Sequence, residues 1–348
     1  RRLTFQLRSD IRSAGGSNLT GYDLARRLLA MADPAAPSYL QIWADLCASV
    51  SVENVYTCLV QLNRPFVLPQ AMFQTAVYPD ESGSAESLRA SAIGPYYLES
   101  SSGDEAVFLA NPAYFAGGPA RAKEIVERRF RTGAEEIRAL RRGEIDVIDR
   151  LNPWEVGQAR EIPGAVVRRY AVPLVHCLIP NPKRPLTSRR AFRRALVYGI
   201  NRAAILGLLT RGAELPGCRV VSGPFLAGVD IDDPLDYAYE ESIEPRGYEP
   251  HLAITLAEVA RRELAEARKK AGEPAGDAPK TVLAYQASEA ARLAVAEIQR
   301  QLKIVGIALE LRELGDAVPE RIPADVDLLY AELAMWEPIV DAERLLGE

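Results

Sequence analysis

The sequence predicts an α/β protein of two domains with mixed sheets. One observation is a strand, helix, strand unit: Thr281 to Tyr285, Glu289 to Val305 and Ile307 to Leu311. Its helix sets Ala291, Val295, Ile298 and Leu302 on one stripe and stops at Gly306, and a unit of this length implies parallel pairing through a right-handed crossover. The other is size. At 348 residues, 48% of them apolar, the chain exceeds what one core holds, since single cores stop growing near roughly 250 to 300 residues.

The elements follow in order. Arg1 to Arg8 alternates Leu3, Phe5 and Leu7 with polar residues, the pattern of a half-buried strand. After the loop Gly15-Gly16-Ser17-Asn18, Thr20 and Asp23 form a capping box for a helix through Leu29. Strands are expected near Val50 to Val55 and Tyr56 to Leu62, and an exposed loop at Glu81 to Ser84. Tyr96 to Glu99 and Ala106 to Ala110 read as a hairpin turning at Ser101 to Asp104 and ended by Asn111-Pro112. Lys123 to Phe130 is a strand; Thr132 with Glu135 then caps a helix that stops at Gly143, a residue suited to the left-handed C-terminal position. A strand from Glu144 to Ile148 and a short helix opened by Asn152-Pro153 come next.

Ala165 to Ile179 is apolar and extended but holds Pro173, which a central strand excludes, so it reads as a crossing between lobes. Ser188 caps a helix whose Phe192, Ala195 or Leu196, and Gly199 or Ile200 follow helical spacing, and Asn201 caps the next, ending at Gly212. Pro216 to Glu249 shows no period; such long wrapped segments are uncommon unless functional. A helix over His251 to Lys270 and a linker over Gly272 to Pro279 lead to the unit already described.

Composition narrows function. A net charge of −5, with acids and bases interleaved as in Arg261-Arg262-Glu263, argues against a nucleic-acid partner. No apolar run approaches the roughly 18 to 20 residues of a membrane-spanning helix, and no charged start followed by an apolar stretch has the pattern of a signal peptide. The abrupt start is read as a chain lacking the beginning of a longer protein. Cys47, Cys58, Cys177 and Cys218 form no CxxC pair; buried free thiols and a Cys177 to Cys218 bridge both remain open.

The motifs between Ala92 and Ile205, with one near the end, carry the sharpest signal. They are Gly94-Pro95-Tyr96, Asn111-Pro112-Ala113-Tyr114, Leu140 to Asp146 with its Gly143-Glu144-Ile145-Asp146, Ile179-Pro180-Asn181, Arg194 to Ile205, and Gln301 to Ile307. In this order they resemble extracellular solute-binding protein family 5, the substrate-binding proteins of peptide, nickel and oligopeptide ABC transporters. The resemblance runs from the opening strand to about Trp336, with Asn201 where the family commonly has Asp and with both ends of the family's chain missing. It implies a two-lobed periplasmic-binding-protein-like fold of type II, peptide-binding class. Residues 1–170 would form lobe I with its small extra subdomain, and 171–348 lobe II, with the hinge crossing near 170–182. It further implies a monomer in the periplasm or outside the cell, anchored or not through an upstream segment. That monomer would capture a peptide-like or other small polar organic solute between its lobes and deliver it to the transmembrane subunits of an ABC permease. A sensor or scaffold with the same fold, or an α/β enzyme, is the alternative.

The ligand-binding candidates are Tyr78, Asn181, Ser222, Trp336, Glu337 and Asp341. Asn181 lies just past the expected crossing, and Trp336 would supply an aromatic wall. Peptide-binding members place an Asp three residues after the matching Trp to capture an amino group; here that position is Ile339, with Glu337 and Asp341 nearby or, alternatively, Asp341 capping a helix. No catalytic residue, metal site or cofactor is expected. His176-Cys177 with Cys218 lacks ligand spacing, the acids Glu144, Asp146 and Asp149 read as solvated, and there is no nucleophile elbow, phosphate loop or dinucleotide fingerprint.

Overall fold

The computed structural model describes residues 1–66, 69–73, 75–79, 89–116, 122–170, 172, 174–215, 217–225, 238–272, 280–315, 322–335, 337–338 and 340–341. The expected loop at 81–84 and most of the linker at 272–279 lie outside them. Residues 1–131 and 132–341 form two compact units.

In the first unit, β1 (Arg2–Gln6), β3 (Thr57–Leu62) and β2 (Cys47–Asn54) make an antiparallel sheet in that order. Helix α1 (Gly21–Ala32) starts where the capping residues place it: the Asp23 carboxylate accepts from the Thr20 backbone N–H at 2.8 Å and from its hydroxyl at 2.6 Å. Helix α2 (Gln41–Leu46) delivers Trp43 into the core, fully buried, with its indole N–H donating to the Leu28 carbonyl at 2.8 Å. Phe73 lies edge-on to both Trp43 and Phe5. The hairpin β4 (Tyr96–Ser102) and β5 (Glu105–Ala110) turns at Gly103, whose φ of 53° suits glycine, and β6 (Glu124–Arg128) completes a second antiparallel sheet. Two sequence motifs meet there. The buried Asn111 donates its side-chain amide to the Gly94 carbonyl at 2.9 Å, and its backbone N–H donates to Pro95 at 2.8 Å.

The second unit is built on a four-stranded sheet in the order β7 (Leu174–Pro180), β10 (Leu328–Ala334), β8 (Thr281–Tyr285) and β9 (Leu309–Glu313). β8 runs parallel to both β9 and β10, as the crossover through α8 (Glu289–Ile304) demands, and β7 is the antiparallel edge. One face packs Leu283, Leu309, Leu328 and Tyr330 against α5 (Arg190–Gly199), α7 (Pro250–Lys270) and α8. The helices approach closely because the contact is made of small residues: Ala253, Ala257 and Ala260 are buried, and a Cβ on Gly199 would stand 3.2 Å from Val305. The opposite face buries Ala284, Val326, Leu329 and Ala331.

Helix α3 (Gly133–Arg142) ends at Gly143 with φ 70°, and Thr132 caps it by accepting the Glu135 N–H at 3.3 Å. α6 (Arg202–Leu209) is capped by Asn201, which accepts from Ala204 N–H at 3.0 Å.

Three expectations are corrected, and one of the two readings left open for Cys177 and Cys218 is selected. Residues 144–148 form no strand: Glu144 turns back to pair with Arg142, and no described strand lies alongside to bond with them. The helix after Asn152-Pro153 is α4 (Val156–Arg160), starting later than expected because Asn152, Pro153 and Trp154 make a turn that Glu155 closes by accepting the Asn152 N–H at 2.7 Å. Arg189, not Ser188, occupies the N-cap of α5, since the Ser188 hydroxyl donates back to the Pro185 carbonyl at 3.0 Å. Cys177 and Cys218 are both free thiols.

Candidate functional site

The second unit carries a cavity of about 1900 Å³, roughly twice the upper end of ordinary small-molecule pockets. Its walls come from the irregular segment after α3, from 165–170, β7, α5 and α6, and the loop around Ser222. Much of the wall is apolar and open: Val147 is 76% exposed and Val166 75%. Tyr170 is pinned by donating its hydroxyl to the Asp149 carbonyl at 3.0 Å, and Trp154 stacks under the Arg211 guanidinium.

Polar groups converge where β7 and β10 meet the start of α8. The antiparallel register sets Glu332 opposite His176 and Tyr330 opposite Leu178, so these four share the helix-covered face. His176 Nδ1 lies 2.6 Å from the Tyr330 hydroxyl, and both residues line the cavity. The Glu332 side chain is only 8% exposed and accepts from the Ser288 hydroxyl at 2.8 Å and from Arg150 at 3.1 Å. Ser288 also caps α8, accepting the Ala291 N–H at 2.9 Å, so the carboxylate sits at the positive end of a helix. Arg150 is mostly exposed, which leaves its ion pair with Glu332 partly screened.

The environment shifts three of these groups. Surrounding protein holds the His176 imidazole below its ordinary range, with Glu332 opposing that shift and Arg150 adding to it. Burial raises the Tyr330 phenol, and Glu332 and Cys177 raise it further, so the hydroxyl keeps its proton. Burial pushes the Cys177 thiol up to about 11, which makes it a poor nucleophile. Cys177 follows His176 on β7 and faces the other side of the sheet, so the two cannot share a metal. Among the described residues no group of three or more His, Cys, Asp or Glu is placed to hold a metal ion.

The candidates read from sequence are scattered. Ser222 lines the cavity. Asn181 does not: it is buried, its amide donates to the Val326 carbonyl at 2.9 Å, and its side-chain oxygen accepts the Lys183 N–H at 3.1 Å. It holds the turn after β7. Glu337 and Asp341 belong to a short helical turn, where the Asp341 carboxylate accepts the Glu337 N–H at 2.9 Å as a cap. Tyr78 belongs to the first unit, and its carbonyl accepts from Arg26 at 3.3 Å. Trp336 lies outside the described residues. Of the carboxylates set aside at the sequence level, Asp146 and Asp149 line the cavity. Nothing in the sequence marks Arg150, Tyr330 or Glu332, and His176 lacks ligand spacing there; the only local signal is the β alternation that places His176 and Leu178 on one face.

The model of the bacterial extracellular solute-binding proteins, family 5 (Middle), matches residues 1–332. No curated protein matches the chain. Among solved structures, the periplasmic binding protein DppA from Helicobacter pylori in complex with the peptide STSA is 20% identical, with a TM-score of 0.75 over 99% of this chain and 68% of that one. NikA from Staphylococcus aureus, in complex with a nickel–histidine chelate, is 16% identical with a TM-score of 0.77 over 99% and 69%. The oligopeptide-binding AppA from Bacillus subtilis, in complex with a nonapeptide, is 16% identical with a TM-score of 0.76 over 96% and 68%. These likenesses establish the type II periplasmic-binding-protein fold, a mixed α/β architecture with several sheets. No helix among the described residues is long and apolar enough to cross a membrane. With the family model covering nearly its whole length, the chain belongs to the bacterial extracellular solute-binding proteins, family 5.

Proposed function

We propose that the chain is the solute-capturing component of an ABC importer, acting in the periplasm or at the cell surface on a peptide-like or other small polar organic solute. The observation that carries this reading is the cavity itself. Its wall is mainly apolar but carries charged and polar side chains, and its 1900 Å³ leave room for an extended molecule with accompanying water. The peptides bound by DppA and AppA support a peptide-like solute.

In this reading the chain acts as a monomer with lobes over 1–170 and 171–348 and a hinge near 170–182. Closure is favoured only to the extent that the solute contacts both lobes, and the closed form docks on the permease. Ser222 contributes from the described cavity wall, with Trp336, Glu337, Asp341 and Tyr78 completing the solute's surroundings and Asn181 holding the turn beside it. The solute leaves unchanged; no reaction is part of the proposal.

Calorimetric titration with tetraalanine tests this. Saturable binding, with the peptide recovered intact by mass spectrometry, is the expected result. Absence of heat at millimolar peptide, or recovery of cleaved peptide, overturns the peptide-like reading.

A further inference from the structure

His176 lines the cavity beside a cluster of polar groups that bond to one another. Arg150 and Ser288 are committed to Glu332, and Tyr330 is committed to His176 Nδ1. Among the described residues His176 Nε2 has no hydrogen-bond partner, and the ring is open to the cavity. The Tyr330 hydroxyl is buried, and its one hydrogen-bond partner among the described residues is that same imidazole.

A phenol has one proton to give, and burying it without an acceptor is costly. If Nδ1 carried the imidazole proton, Tyr330 would accept and its own proton would be left with nothing to bond. The cheaper arrangement has Tyr330 donating to Nδ1. Neutral imidazole then carries its proton on Nε2, because the bond made by one ring nitrogen sets the state of the other. Glu332 and Tyr330 on β10, Arg150 from the segment after α3 and Cys177 on β7 are the titratable neighbours; none supplies an acceptor to Nε2.

We propose that His176 is a solute-contacting, specificity-determining residue whose Nε2–H donates to a carbonyl or carboxylate oxygen of the solute, with Tyr330 the positioning residue that fixes this tautomer. The inference rests on the solute-capture reading and adds to it the chemistry of one contact. A cavity wall that presents a fixed N–H donor favours solutes with an oxygen acceptor at that point, and penalises those that place an N–H or a methyl group there.

The test has two arms. The chain has only two histidines, His176 and His251, so long-range proton–nitrogen NMR resolves both rings, and His176→Gln assigns them. At pH 8 the proton of His176 is expected on Nε2, and in Tyr330→Phe, which keeps the ring in the core, a mixture of tautomers. A proton on Nδ1 in the unmodified chain, or no change in Tyr330→Phe, overturns the positioning role. In calorimetry with tetraalanine, His176→Phe is expected to weaken binding about tenfold, the equivalent of about 1.4 kcal/mol. His176→Gln, whose amide nitrogen falls near the place of Nε2, should restore most of the affinity. Equal affinity in His176→Phe overturns the contact while leaving solute capture standing. No binding of tetraalanine to the unmodified chain overturns the peptide-like reading and this contact with it.

Discussion

Gly133→Ala should destabilise the second unit, although replacing a helical glycine by alanine usually helps. Gly133 opens α3, and a Cβ there would stand 1.7 Å from Oε1 of the buried Glu155. The carboxylate must move. Doing so strains or breaks its bond from the Asn152 N–H, a charge-assisted contact at 2.7 Å worth about 1.5 to 3 kcal/mol. An off-rotamer Glu155 adds about 0.5 to 1.5 kcal/mol. Against this, alanine recovers about 0.5 to 1 kcal/mol of backbone entropy. The net loss is about 1 to 4 kcal/mol. It should appear as a lower urea midpoint with an unchanged slope, followed by circular dichroism. A double-mutant cycle isolates the cause: on a Glu155→Ala background Gly133→Ala should be neutral or stabilising. Neutral behaviour of Gly133→Ala in the unmodified chain would refute the packing argument. Because Trp154 in the same turn lines the cavity, the substitution should also weaken tetraalanine binding.

Other outcomes follow from the same structure. Asp327, 7% exposed, binds Arg184 at 2.8 Å and the Val282 N–H at 2.8 Å, so Asp327→Ala should cost about 3 kcal/mol by stranding both donors; a loss under about 1 kcal/mol in urea unfolding contradicts that role. The His176 pKa is lowered on folding, so its contribution to stability is complete above the unfolded value near about 6.5 and declines as pH falls from there toward the lowered folded value. Thermal melts from pH 8 to 5 should show a drop that is smaller in His176→Gln, and parallel curves would sink the assignment. The Glu136 carboxyl is raised, chiefly by burial and then by Glu155 and Asp149, so Glu136→Gln should raise the melting temperature at pH 7 but not at pH 3. Trp336→Ala should abolish tetraalanine binding with the far-ultraviolet spectrum unchanged; retained affinity removes that residue from the site.

Much of the fold was legible because its signals are local. Thr20 with Asp23, Thr132 with Glu135, and Asn201 with Ala204 satisfy helix N-termini within four residues, and Gly143 needs only its own left-handed backbone. The unit from Thr281 to Leu311 was legible for a related reason: period and length leave parallel pairing as the workable solution. The misreadings share an opposite cause. Residues 144–148 have strand-like residue types, yet a strand exists only where another chain segment accepts its hydrogen bonds. Ser188 has the right chemistry for a cap, but a nearer carbonyl competes for its hydroxyl.

Asn181 shows the limit for the site. Its position beside the crossing is readable, but the Val326 carbonyl that occupies its amide is 145 positions away. The sequence by itself determined the alternation of elements, their caps and the family they build, because those depend on neighbours a few bonds apart. Only the tertiary structure decided that His176 meets Tyr330 across 154 positions and opens onto a cavity, because strand register, set by the burial of whole faces, brings such residues together.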